Sequence, residues 1–223
     1  MSPRRVPVSR RDRPAKAALS RKGLISVALQ IMVDEGLERV TMRRLASELD
    51  TGPASLYVYI QSTAELHGAL LDELLFGLEL PREETAWREA VMELLSGYTR
   101  ILHRQPSLAR SVLTLRPSGP NYLRFVDLLL GYLLAGGVPV RSAAWGVDLL
   151  VQLATATAAE HGTRDESPDA AGEVDLQEMA VREAIPAEYP NIDRVRDELF
   201  SGTGEERHRF AFDALLDGIA ARP

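Results

Sequence analysis

The sequence predicts an all-α fold on three observations. Apolar residues recur at i, i+3, i+4 and i+7 along most of the chain. Residues suited to start helices, Thr41, Ser62 and Thr203, stand just before three of those stripes. No strand-length alternation and no internal repeat interrupts the pattern. At 223 residues, 45 % apolar and 26 % charged, the composition is that of a folded chain rather than a disordered one. The length holds a small module plus a larger partner domain, or one medium domain.

Taken in order, Ile25, Ala28, Leu29 and Met32 make the first stripe, and Gly36 stops it. Thr41 caps a second helix built on Met42, Leu45, Ala46 and Leu49. Asp50-Thr51-Gly52 is a tight break, with Asp50 expected in the left-handed conformation a turn requires. Pro53 fits the first turn of a third helix, whose buried edge is Leu56 and Ile60. Ser62–Glu65 fits a capping box and opens a fourth helix through Leu66, Leu70, Leu71 and Leu74. A long stripe follows from Trp87 through Val91, Leu94, Leu95, Tyr98, Ile101 and Leu102, ended by Pro106. Leu108, Val112 and Leu115 suggest a shorter helix. Asn121–Ala135 is apolar on nearly all sides, so that helix is expected to be buried. Val140–His161 is apolar on two faces, Val147, Leu150, Val151 and Ala154 on one and Trp145, Leu149 and Ala156 on the other. Gly162–Asp175 is acidic and rich in small residues and reads as a loop or insert. Weaker helical patterns cover Leu176–Ala184 and Ile192–Phe200. A second capping box, Thr203–Glu206, opens a last helix with Phe212, Leu215, Leu216 and Ile219 on one side.

The net charge of −6 is unevenly placed. Residues 1–62 hold eleven Arg and Lys against six Asp and Glu, an excess of five positive charges, so the remainder carries an excess of eleven negative ones. Such a basic end on an acidic body fits either a polyanion-binding module or a charged, solubilising tail. Several classes are excluded or disfavoured. The chain has no cysteine, which rules out disulfides, thiolate catalysis and Cys-ligated metal. No stretch reaches the roughly eighteen uncharged apolar residues of a membrane span, and the basic N-terminus lacks the apolar core of a secretory signal. A cytoplasmic protein with no membrane partner is the expectation. The four histidines, His67, His103, His161 and His208, show no metal-ligand spacing. There is no Gly-rich phosphate loop and no nucleophile elbow. No catalytic residue, metal or cofactor is therefore expected, and the chain is read as a non-enzyme.

Three short N-terminal helices, the second and third joined by a tight turn, describe a helix-turn-helix. The stretch Thr41–Ile60 carries Thr41, Arg43, Leu45, Ala46, Leu49, Leu56, Tyr57 and Tyr59 at spacings that resemble the TetR family of bacterial transcription regulators. The likeness runs from about Leu19 to Leu75. Asp50 and Thr51 replace a common turn glycine and an apolar residue, and Thr63 stands where the family usually has a phosphate-contacting lysine. On physical grounds a recognition helix buries one edge and offers the other to the major groove. Pro53, Ala54, Ser55, Tyr57, Val58 and Tyr59 form the outer edge. Phenol hydroxyls there suit phosphates, and methyl groups suit the thymine methyl. Arg43 can reach a guanine edge, and Thr41 and Arg44 suit the phosphate backbone. The alternative makes the two tyrosines core and Arg43 a surface ion-pair partner. The tail with Arg4-Arg5 and Arg10–Arg13 either follows phosphates or only solubilises.

The resemblance implies a basic tail over residues 1–18, disordered on its own, a helix-turn-helix DNA-binding unit over 19–65, and a ligand-binding and dimerisation domain over 66–223. It implies a homodimeric repressor, released from a palindromic double-stranded DNA operator by a small-molecule inducer. The helix Val140–His161 and the last helix could form a four-helix bundle between two copies, or both could be buried within one chain. A mostly apolar pocket with a few polar anchors would draw on Trp87, Tyr98, Leu102, His103, Tyr122, Phe125, Trp145, Asp148, Gln152 and Thr155. Asp148 either orients a cationic or hydroxylated ligand or pairs with Arg124 or Arg100. The rival class is a helical adaptor whose basic end binds acidic partners.

Overall fold

The computed structural model describes residues 19–166 and 170–222. The basic tail expected to follow phosphates or to solubilise, Arg4 to Arg13, lies outside those residues. Eleven α-helices and no strand occur among the described residues. The first three are α1 (Arg21–Glu35), α2 (Met42–Glu48) and α3 (Pro53–Leu56), with a 3₁₀ turn over Leu37–Arg39 between α1 and α2. Ser20 caps α1 by accepting from Gly23 N, and Thr41 caps α2 by accepting from Arg44 N at 3.1 Å. Between α2 and α3, Asp50 takes a φ of 46°, the left-handed conformation expected of it. Pro53 starts α3, where its missing N–H costs nothing.

Next comes α4 (Thr63–Leu75), which spans the boundary expected near residue 65. Ser62 accepts from Glu65 N, but the Glu65 carboxylate returns to Gln61 N at 2.8 Å and not to Ser62. The buried face of α4, Leu66, Ala69, Leu70, Leu71 and Leu75, packs on α1 at one side. At the other side it meets α5 (Trp87–His103), α6 (Pro106–Val112) and α7 (Pro120–Ala135). The apolar core therefore runs without a break from Leu24 to Ile219.

The body is completed by α8 (Val140–Glu166), α9 (Ala170–Glu183), α10 (Pro190–Val195) and α11 (Gly204–Ala220). A full Thr203–Glu206 capping box opens α11. Two expectations need correction. The Gly162–Asp175 loop is largely helical: α8 continues to Glu166, and α9 begins at Ala170. Packing overrides composition here, because Gly162 lets α8 lie against the α5–α6 turn. A Cβ at Gly162 would stand 2.7 Å from Pro106 Cγ and 3.0 Å from the His103 carbonyl. Side chains then hold the extension, His103 to Asp165 at 3.1 Å and Arg110 to Thr163 at 2.6 Å. Second, α7 buries only Phe125, Leu129 and Leu133 and leaves Leu123 and Leu134 exposed, because one chain covers only one side of it. The two-faced reading of α8 holds. Val147, Leu150, Val151 and Ala154 are buried, while Trp145 and Leu149 are 63 % and 47 % exposed.

Trp87 packs face-down on Gly136 at the end of α7, where a Cβ would come within 2.4 Å of the indole. Gly136→Ala should overpack this corner and cost about 1–3 kcal/mol. A clear drop in melting temperature by circular dichroism is the expected reading, and an unchanged one would show that the indole moves freely.

Candidate nucleic-acid interface and sensor cavity

Burial of Leu56 and Ile60, both fully enclosed, fixes the third helix against the core. Each such side chain contributes roughly 1.5–3 kcal/mol. The helix proper ends at Leu56, and Tyr57–Tyr59 continue as a turn closed by Tyr59 N and Ile60 N on the Leu56 carbonyl. That turn rotates the side chains apart. Tyr57 is 50 % and Val58 79 % exposed, and Pro53, Ala54 and Ser55 are exposed beside them. Tyr59 departs from the expected outer edge, since its ring lies half-buried against the core.

Arg43 and Arg44 separate in the structure although adjacent in sequence. Arg43 is exposed on the outer side of α2 and makes no ion pair among the described residues. Arg44, expected on phosphate, instead bridges Glu35 of α1 at 2.7 Å and Glu48 of α2 at 2.6 Å. Its hydrogen bond holds the Glu35 carboxyl below the usual carboxylate range, and the two carboxylates raise Arg44 in turn. Thr41 is exposed, and its hydroxyl, already an acceptor, keeps its own hydrogen to donate. Thr63 is exposed at the start of α4 and supplies no charge there.

In the body, a cavity of about 250 Å³ opens between α5, the end of α6, the α6–α7 loop, α7 and α8. Tyr98, Tyr122, Asp148, Gln152 and Thr155 line it, as the sequence suggested, together with Val112, Leu115 and Arg116, which it did not. Tyr98 forms the floor. Its hydroxyl meets Thr155 Oγ1 at 2.9 Å, and its ring stacks on Phe125 with centroids 4.9 Å apart. Burial raises the Tyr98 phenol far above its ordinary value, so it stays neutral. Phe125 supports the cavity from behind, and Leu102 is wholly in the core. Neither lines it, and three more expected lining residues lie elsewhere. Trp87 is at the Gly136 corner, His103 pairs with Asp165, and Trp145 lies on the outer face of α8. Helical periodicity gave these three the right helices, but each points around its helix to another neighbour. Asp148, for which Arg124 or Arg100 stood as the alternative partner, makes no ion pair among the described residues.

The cavity is joined to the N-terminal helices by polar contacts. The Asp72 carboxylate of α4 accepts from Tyr122 N at 2.9 Å and from Asn121 Nδ2 at 3.1 Å, so α4 caps the start of α7. His67 of α4 meets Ser111 of α6 at 2.7 Å. Ser107, at the other end of α6, donates to Glu38 in the 3₁₀ turn, and Arg110 donates to Ser107 at 2.7 Å. On the far side, Trp145, Leu149, Leu215 and Ile219 line an apolar groove of about 320 Å³ between α8 and α11.

A helix-turn-helix with an exposed reading edge, fused to a helical body holding a small polar cavity, defines a DNA-binding regulator with a sensor domain. Comparison with known proteins agrees. The family described as bacterial regulatory proteins, tetR family, matches residues 24–70, and the tetracyclin repressor-like C-terminal domain matches residues 80–222. The chain belongs to the TetR family of transcription regulators. It is 26 % identical over 219 residues to the HTH-type transcriptional repressor DrrR1 of Streptomyces coeruleorubidus, covering 94 % of this chain and 80 % of that one. The Streptomyces transcription regulator SCO7704 superposes with a TM-score of 0.80 at 48 % identity, over 93 % of this chain and 98 % of that one. ActR of Streptomyces coelicolor gives 0.81 at 30 % identity over 92 % of this chain, and its complex with actinorhodin has been solved.

Arg44→Met should lower DNA affinity by loosening α1 from α2 while leaving the salt slope unchanged. A phosphate contact would instead remove about 0.9 from that slope, so the slope decides between positioning and contact. Burial holds His67 and His208 below the ordinary histidine value. Unfolding therefore takes up protons, and stability is complete above about pH 6.5 and falls as pH drops below it through the lowered folded values. His67→Gln should flatten part of that fall in thermal melts between pH 7.5 and 5.5.

Proposed function

We propose that the protein is a ligand-responsive repressor that leaves a palindromic operator when a small molecule fills the α5–α8 cavity. The observation that carries the reading is the outward Tyr57–Val58 pair on a turn anchored by buried Leu56 and Ile60. An apolar pair so exposed gains nothing in water, and it suits the floor of a major groove, where methyl groups meet thymine. Arg43 and Thr41 complete the edge, with Pro53, Ala54 and Ser55 approaching the backbone. Arg44 acts one step back, by setting α1 against α2. A non-enzymatic, cytoplasmic role fits this reading. No helix among the described residues is long and apolar enough to cross a membrane.

A homodimer supplies the second reading edge. The exposed Trp145 and Leu149 of α8 and the adjoining face of α11 form the surface for a four-helix bundle between copies. Such a dimer sets two reading edges about 34–36 Å apart, one duplex turn. A ligand in the cavity presses on Tyr122 and on the end of α6. Asp72, His67 and Ser107 carry that displacement to α4 and to the turn beside α2. A ligand favouring another spacing of the edges then draws the population off DNA.

Selection of genomic fragments by the purified protein should return a two-fold symmetric site, bound with a steep salt dependence. Val58→Asp should abolish specific binding while melting like the wild type. Absence of specific binding at low salt would favour the adaptor reading instead.

A further inference from the structure

The cavity differs from a plain apolar pocket in carrying two charges of opposite sign, both on exposed side chains. Asp148 of α8 and Arg116 of the α6–α7 loop both line it, and neither makes an ion pair among the described residues. They do not close on each other, although many surface acids of this chain do pair with an arginine. Among the described residues the Arg116 guanidinium donates only to the carbonyl of its neighbour Leu115, at 3.2 Å. Tyr122 lines the same cavity and feels both charges. Burial raises its phenol, Asp148 adds to the rise, and Arg116 opposes it. The same cavity is lined by apolar and aromatic side chains, Tyr122, Val112, Leu115 and Val151 among them. The floor offers no free donor, because the Tyr98 and Thr155 hydroxyls satisfy each other and the Val151 carbonyl.

We infer that the cavity is built for a zwitterionic, ring-bearing small molecule, with a basic nitrogen set on Asp148 and an acidic oxygen facing Arg116. The inference rests on the cavity being the sensor site. Size fixes the scale of the molecule. At about 250 Å³ the space falls just below the roughly 300–1,000 Å³ of drug-sized sites. One ring, or two fused rings, with short polar arms fills it. A purely cationic ligand would leave Arg116 facing the same charge, and a purely anionic one would leave Asp148 opposed, so each forfeits what the other gains.

The test is calorimetric titration of the full-length protein with 4-(aminomethyl)benzoate, benzylamine and benzoate, which share one ring and differ in charge. The zwitterion should bind tightest, by about tenfold over either singly charged probe. Asp148→Asn should weaken the zwitterion and benzylamine but not benzoate, and Arg116→Gln the zwitterion and benzoate but not benzylamine. Equal binding of all three, no saturable binding by any, or equal losses across the series in each variant would overturn the inference. Operator release is scored separately, on the selected DNA. Probes that bind in the expected order yet leave DNA affinity unchanged would uphold the ligand class and refute the cavity as the inducing site.

Discussion

The burial of one face of α4 on both sides at once is the constraint on which the rest depends. Leu66, Leu70 and Leu71 have almost no exposed surface, and they belong to the same continuous core as Leu24 in α1 and Leu94 in α5. A reading head on a flexible linker could not register a small change in a distant cavity. Here the head cannot move without repacking α4, and packed cores shift between discrete arrangements rather than bending smoothly. The polar joints refine this coupling. Asp72 ties α4 to the first turn of α7, where Tyr122 meets the cavity, and Ser107 ties α6 to Glu38 in the 3₁₀ turn before α2.

Charge is uneven along the sequence. The excess of positive charge sits in the first 62 residues, and the body is acidic. The excess itself belongs to residues 1–18, and residues 19–62 hold five Arg and Lys against five Asp and Glu. Within the head, the acids near the reading edge are occupied. Glu35 and Glu48 are held by Arg44, and Glu65 by Arg21 at 3.3 Å. Among the described residues this leaves Arg43 as a cation with no ion pair.

Much of this was legible in the sequence. Thr41, Asp50, Pro53 and the Thr203–Glu206 box act locally, through hydrogen bonds and dihedral angles spanning a few residues, and the structure has them as the pattern indicated. What the pattern could not give was side-chain direction once a helix stops or meets a neighbour. Tyr59 turned inward because α3 ends at Leu56, and Arg44 was claimed by two carboxylates, one of them nine residues away. Composition made Gly162 a loop residue, while its missing Cβ is what lets α8 pass Pro106. For the cavity, Asp148 and Gln152 share a face of α8 four residues apart, which periodicity reveals. The contribution of Arg116 and Leu115 comes from a loop whose course only the fold determines.

The stacked Tyr98–Phe125 floor and the exposed Asp148 and Gln152 rim divide the cavity into two layers with different tolerance to mutation. Floor residues double as core, so altering them risks the whole fold. Rim residues carry little packing, and they can be exchanged one at a time while the operator-reading apparatus stays intact. Under the proposed reading, ligand preference can therefore change faster than architecture, and the same division marks where a biosensor engineer should randomise and where to leave the protein alone.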